Sequence, residues 1–232
     1  DLFDDLILSI YSKIHFLEEV DTYSLLLVQQ FNKWSSFFEA KHREGLDKEE
    51  VKGLFGELKV LQELILNQQM HINDILNAWR GPYDEGHDFA FENKAWEIKT
   101  VENGKEVVKI SSEYQLSHEN MQLLSLIVIT VKSDSPDGIT LEMMANDIRS
   151  RILLLQGDLT VFTSALWQLG IRMNELAQYN MYRFSPVSKR TYDCNDDFPC
   201  IIRDGLHDAL VKVRYSLRLD LIDIFKTEEI TY

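Results

Sequence analysis

Residues 87–100, HDFAFENKAWEIKT, hold two acids and a lysine in the pattern D-x8-E-x-K. Glu92-Asn93 reads as a two-residue hairpin turn, because Asn tolerates the positive φ that such turns need. That turn sets Phe91 across from Lys94, Ala90 from Ala95, Phe89 from Trp96 and Asp88 from Glu97. Directly opposed residues share a face, with Cβ atoms about 5 Å apart. Lys99, two residues beyond Glu97, joins the same face, while Phe89 and Trp96 turn to the other and suit a core. Two opposed carboxylates destabilise a hairpin unless something compensates them. A hard divalent cation does so: Mg²⁺ or Mn²⁺ takes one or two carboxylates plus waters and phosphate oxygens. The lysine would then stabilise developing charge on a phosphate or orient a water. The plainer alternative is a solvated strand face of alternating Glu and Lys.

A further acid sits in a helical stretch, GLFGELKVLQEL. Leu54 and Leu61, at i−3 and i+4 from Glu57, lie on its apolar stripe. Glu57 is therefore on or beside the buried face, where an unpaired charge is costly. Gly53 and Gly56 are poor helix formers, but they let a helix approach a sheet closely and carry Glu57 to the carboxylates. The alternative is a helix-edge glutamate paired with Lys59 or a neighbouring surface base.

An acid-bearing helix followed by D-x8-E-x-K on a hairpin resembles the PD-(D/E)XK nuclease superfamily. The series GLFGEL, W-RGP, HDF, EIKT and SSEYQL is similar to a bacterial family of PD-(D/E)XK motif proteins of unknown function found in restriction and phage-defence clusters. The resemblance covers roughly residues 50–125, with a weaker match in FPCIIRDGL. It implies a restriction-endonuclease-like core of αβββαβ type with a mixed sheet. It implies Asp88 and Glu97 as metal ligands, completed by the carbonyl of Ile98, with Lys99 as catalytic lysine and Glu57 as an additional acid. Gln115 and Ser112 would orient substrate, or a serine there would cap a helix. His87 stands where the motif has proline; it would contact phosphate or a water, or simply serve the turn. The implied activity is a metal-dependent DNA endonuclease, with DNA, other defence or restriction subunits and a second copy of the chain as partners. The rival is a nuclease-fold subunit working mainly through protein–protein interaction. A glycosidase with paired carboxylates ranks lower: it leaves Lys99 without a role and shows no aromatic cleft.

The elements that must position these groups are legible in part. Apolar residues at three- and four-residue spacing predict helices over the first forty residues. Asp47 with Glu50 forms a capping-box pattern that opens a helix ending near Asn67. After the loop WRGPYDEGHD come short alternating runs at 88–91, 94–101 and 105–110, read as a β-meander. Leu123–Val131 is nearly all apolar and reads as a central strand buried on both faces. Helices are expected at 141–155 and 161–178, and one or two strands in 210–224. The fold class is α/β or α+β, with N-terminal helices at 1–45, a nuclease-like core at 46–135 and a helical and mixed extension at 136–232.

Composition narrows the partners. With 24 Lys and Arg against 38 Asp and Glu, the net charge is −14, whereas proteins that grip nucleic acid over their whole surface are usually basic. DNA would thus be met through a local patch, metal ions or a partner. Lys189/Arg190 and Arg149/Arg151 are the local basic clusters, with solvated charge as their plainer reading. No apolar run is long enough for a membrane helix, no signal-peptide pattern is visible, and the chain opens at Asp1, which leaves room for an upstream segment. Cys194 and Cys200 are too few for a disulfide framework, which points to a reducing cytoplasm, and no zinc-ligand spacing occurs.

Overall fold

The computed structural model describes residues 45–83, 86–117, 123–203 and 206–232, with isolated positions before residue 45. The predicted helices of the first forty residues therefore lie, apart from those positions, outside the described residues. The chain divides into two compact units. One takes Leu58–Asn77 and Thr140–Met181 with the segment ending at Val51; the other takes Lys52–Glu57, Ala78–Ile139 and Tyr182–Tyr232.

Helix α1, Lys48–Asn67, supplies residues to each unit in turn. It opens on the predicted capping box: the Glu50 amide donates to Asp47 Oδ1 at 2.9 Å, and the Asp47 amide donates to the Glu50 carboxylate at 3.0 Å. Those bonds satisfy two of the amides that every helix start leaves orphaned.

The sheet unit is a mixed five-stranded sheet in the order β1–β2–β4–β5–β7. Its strands are β1 Phe89–Ala90, β2 Lys94–Glu102, β4 Leu123–Ser133, β5 Phe184–Asp193 and β7 Lys226–Thr231. β2 and β4 run parallel from Lys94 beside Leu123 to Glu102 beside Val131; the other neighbours are antiparallel. β4 is central, and Leu126 to Val131 are all buried, as its sequence predicted. Mixed sheet and helices together give the expected restriction-endonuclease-like α+β fold.

The predicted meander needs correction. β3, Val107–Ile110, leaves the hairpin and pairs with β6, Tyr215–Arg218, in a separate two-stranded ribbon. One face of the large sheet, with Ala95, Val101, Leu124, Leu126 and Val128, shares a core with Val108, Ile110 and Leu217 of that ribbon. β3 has a buried residue at every second position, and the ribbon meets that apolar side without extending the sheet. On the opposite face, the Lys52–Glu57 stretch of α1 comes down close to β2. A Cβ on Gly56 would collide with Thr100 Oγ1, and Phe55 packs on Phe184 with centroids 4.9 Å apart. Gly56→Ala is expected to lower the melting free energy by about 1–3 kcal/mol, the usual range for overpacking. Adding Thr100→Ala should recover most of that loss in a thermal melt. An unchanged melting temperature in the single variant would contradict the close approach.

β5 and β7 were not foreseen. β5 buries only Phe184 and Tyr192 fully, and all of β7 after Lys226 is exposed, so neither shows the alternation that marks a strand. Pro186 sits in β5 beside the register shift at Thr130/Val131, where a missing N–H costs least.

The helical unit contains the rest of α1, α2 (Ile72–Ala78) up to Asn77, α3 (Leu141–Leu154) and α4 (Leu159–Gln168). Thr140 caps α3 and Asp158 caps α4. The Gln62 amide donates to Asp147 at 2.6 Å and the Asp158 amide to Asn73 Oδ1 at 2.7 Å. The single helix predicted over 161–178 is two pieces. α4 stops at Gln168, Gly170 takes a left-handed φ of +77°, and a 3₁₀ helix follows at Met173–Tyr179; glycine enters that region without the usual Cβ penalty.

Candidate active site

The hairpin has the register that the turn at Glu92-Asn93 required. Phe89 pairs with Trp96 and Ala90 with Ala95, and the Phe91 amide donates to the Lys94 carbonyl at 2.8 Å. Asp88 directly precedes β1, and its Oδ2 accepts from the Ile98 amide at 2.7 Å. Glu97 and Lys99 lie on one face of β2. Lys99 Nζ is 2.7 Å from Glu97 Oε1, and Glu97 is 1% exposed.

Glu57 reaches this group from α1, the last residue that the helix contributes to the sheet unit. It does not pair with Lys59, whose ammonium lies 3.3 Å from Glu63. The Trp79 indole N–H donates to Glu57 Oε2 at 2.8 Å. Glu57 and Asp88 crowd around Gly81: a Cβ there would run into Glu57 Oε2 and lie 2.9 Å from Asp88 Oδ1. The amides of Arg80 and Gly81 both donate to the Asp88 carbonyl, at 2.7 and 3.0 Å. Trp79 bridges to Phe89 and locks this segment to the hairpin. Sequence reasoning gave Trp79 and Gly81 no role, although W-RGP was among the signals of resemblance.

The second-rank candidates separate. Gln115 Oε1 accepts from Lys99 Nζ at 3.1 Å and from the Ser111 amide at 2.7 Å, so this glutamine holds the lysine. Ser112 lies in the turn after β3, and its carbonyl accepts from the Gln115 amide at 3.4 Å. No helix starts there, which removes the capping alternative. His87 Nδ1 stands 4.0 Å from Glu97 Oε2, beyond hydrogen-bond range. Ile98 meets the group through its amide.

Three acids facing one ammonium set the electrostatics. Burial, and then the neighbouring Asp88 charge, push Glu97 up to about 8 despite Lys99. Burial also raises Glu57, with Asp88 adding to it and the Trp79 bond opposing. Burial raises Asp88, against the pull of Lys99 and of the Ile98 amide. Cys194 and Cys200 stand apart from this chemistry: burial raises both thiols, Cys194 to about 12, and such thiols are poor nucleophiles.

A hard divalent cation fits the chemistry of the donor set, since every acid offers only oxygen and a bound cation would favour the ionised form of carboxyls that are raised without it. Gly81 keeps open the space into which two of the carboxylates turn. Among the described residues, no group of three or more His, Cys, Asp and Glu side chains is placed so that it could by itself hold a metal ion.

A mixed sheet carrying an acid, a D-x8-E-x-K hairpin and a helix-borne glutamate defines a PD-(D/E)XK-type protein. The chain belongs to the family described as "Putative PD-(D/E)XK family member, (DUF4420)", whose family model matches residues 1–220. No match was found among curated proteins or among solved structures. No helix among the described residues is long and apolar enough to cross a membrane.

Proposed function

We propose that this protein is a metal-dependent DNA endonuclease that hydrolyses phosphodiester bonds, serving a restriction or phage-defence system in the cytoplasm. The observation that carries the reading is the gathering of Glu57, Asp88, Glu97 and Lys99 from one helix and one hairpin, close enough that all three carboxyls are raised. Asp88, Glu97 and the Ile98 carbonyl would hold Mg²⁺ or Mn²⁺, with Glu57 as a further acid. When bound, the ion supplies Lewis acidity toward the scissile phosphate and acidifies its water. Lys99, held by Glu97 and Gln115, presents an ammonium to the charge that grows on the phosphate. Gln115, Ser112 and His87 line the substrate side.

The test is cleavage of unmodified double-stranded DNA with Mg²⁺ or Mn²⁺, with chelator and with Asp88→Asn. Cutting should stop in chelator and fall by roughly 10²-fold or more in the variant, since losing even a partner that orients a metal ligand costs about 10–100-fold. Metal-independent cutting, or an Asp88→Asn variant as active as wild type, would count against the reading.

One observation favours a second reading. A net charge of −14 repels a DNA backbone, so recognition would come from partner subunits, or the chain would act mainly as an interaction subunit. Neighbouring gene products that copurify with a chain unable to bind metal would favour the latter.

A further inference from the structure

We infer that Trp79 and Gly81 are positioning residues that set where the Glu57 carboxylate stands, and through it how tightly the site holds a divalent ion. This rests on the metal-dependent reading above and deepens it. The two residues act from the short segment between α2 and β1. Trp79 is 2% exposed. Its indole N–H donates to Glu57 Oε2, so the ring is packed in the core while its one polar atom is spent on an acid of the site. Gly81 works by having no side chain. Its φ is outside the left-handed region, so alanine fits the backbone there. What alanine meets is the ends of two flexible side chains, Glu57 Oε2 and Asp88 Oδ1. An added methyl therefore leaves the fold in place and pushes these two carboxylates aside. The segment cannot retreat, because the Arg80 and Gly81 amides are tied to the Asp88 carbonyl and Trp79 is bridged to Phe89.

The segment thus acts on Glu57 in two ways. The indole holds one oxygen of the carboxylate, and the bare Cα gives it room beside Asp88. Partners that orient a ligating carboxylate typically change metal affinity by 10–100-fold when lost.

The experiment uses the whole chain and Mn²⁺ alone, with bound ion followed by paramagnetic resonance and by calorimetry, without DNA. Trp79→Phe keeps most of the ring packing and loses the donor. It should weaken Mn²⁺ binding about tenfold, and make no further difference in a Glu57→Gln background. Gly81→Ala should weaken binding by at least as much. Glu57→Asp, one methylene shorter, should partly restore Gly81→Ala while weakening the wild type. A second readout needs no metal: the Trp79 indole N–H proton resonance should move in Glu57→Gln and in Gly81→Ala, with the other indole resonances unmoved. Additive losses in Trp79→Phe and Glu57→Gln, or an indole resonance indifferent to Glu57, would overturn the positioning role. A wild type that binds no Mn²⁺ but whose Trp79 resonance follows Glu57 would sink the metal reading and leave the positioning of Glu57 standing.

Discussion

Lys99→Ala is expected to reduce DNA cleavage by roughly 10³-fold, the scale on which loss of one preorganised electrostatic group is felt. Lys99 is ion-paired inside the carboxylate group and hydrogen-bonded to Gln115. It touches Glu97 at 2.7 Å and Gln115 at 3.1 Å, so its amine is already aimed when substrate arrives. The stability of the variant should depend on pH. Removing one member of a buried ion pair commonly costs about 3–5 kcal/mol, because the other charge is stranded. Glu97 has an escape: with its carboxyl raised to about 8, it accepts a proton at neutral pH and below and strands no charge. At pH 6 the melting temperature of Lys99→Ala should stay close to that of wild type; at pH 9 it should fall clearly below. Gln115→Ala, which frees Lys99 without removing it, should retain more activity than Lys99→Ala. Cleavage by Lys99→Ala at the wild-type rate would remove the lysine from the chemistry.

Without divalent ions, the protein is expected to lose thermal stability as pH rises from about 5 to about 8. Glu97 is the main reason. Its carboxyl moves from an ordinary 4.5 in the unfolded chain to about 8 in the folded protein. Between these values the folded state holds a proton that the unfolded state has released. Stability contributed this way is complete below the lower value and drains away as pH climbs through the window, by about 1.4 kcal/mol per pH unit. Glu57 and Asp88 are raised as well, so they act in the same sense. Asp147 acts in the other sense: hydrogen bonding to Arg151 holds it below its ordinary value of 3.8, so its contribution is lost only at more acid pH. Glu97→Gln should flatten the slope between pH 5 and 8, as followed by melting temperature in chelator. Mg²⁺ should stabilise the wild type more at pH 8 than at pH 5.5, because a cation takes over the task of the bound proton. A melting temperature that holds level or rises across this window would contradict the buried, charge-crowded site.

Much of the site was decided by local chemistry. The turn residues Glu92-Asn93 set the hairpin register, and that register alone lined up Asp88 with Glu97 and put Lys99 on the same face, because side chains alternate along a strand. Asp47 and Glu50 set the start of α1, and the helical period put Glu57 beside the apolar stripe. The nearly all-apolar run of β4 declared a strand buried on both faces. Each of these depends on neighbours only a few residues away, which a linear sequence displays.

Tertiary structure decided the rest. That β3 joins β6 and not β2 brings together strands more than a hundred residues apart in the chain, over a shared apolar sheet face. β5 and β7 are strands because partners complete their backbone hydrogen bonds, not because their side chains alternate. The sequence left Glu57 open to Lys59 or another surface base; the fold gives it the indole of Trp79, which is anchored in the core, while Lys59 pairs with Glu63 one turn on. Gly81 reads in the sequence as one glycine of a loop. Only the packed structure shows that the space of its missing side chain is filled by two acids, because that space is made by residues from a helix and a hairpin that meet nowhere along the chain.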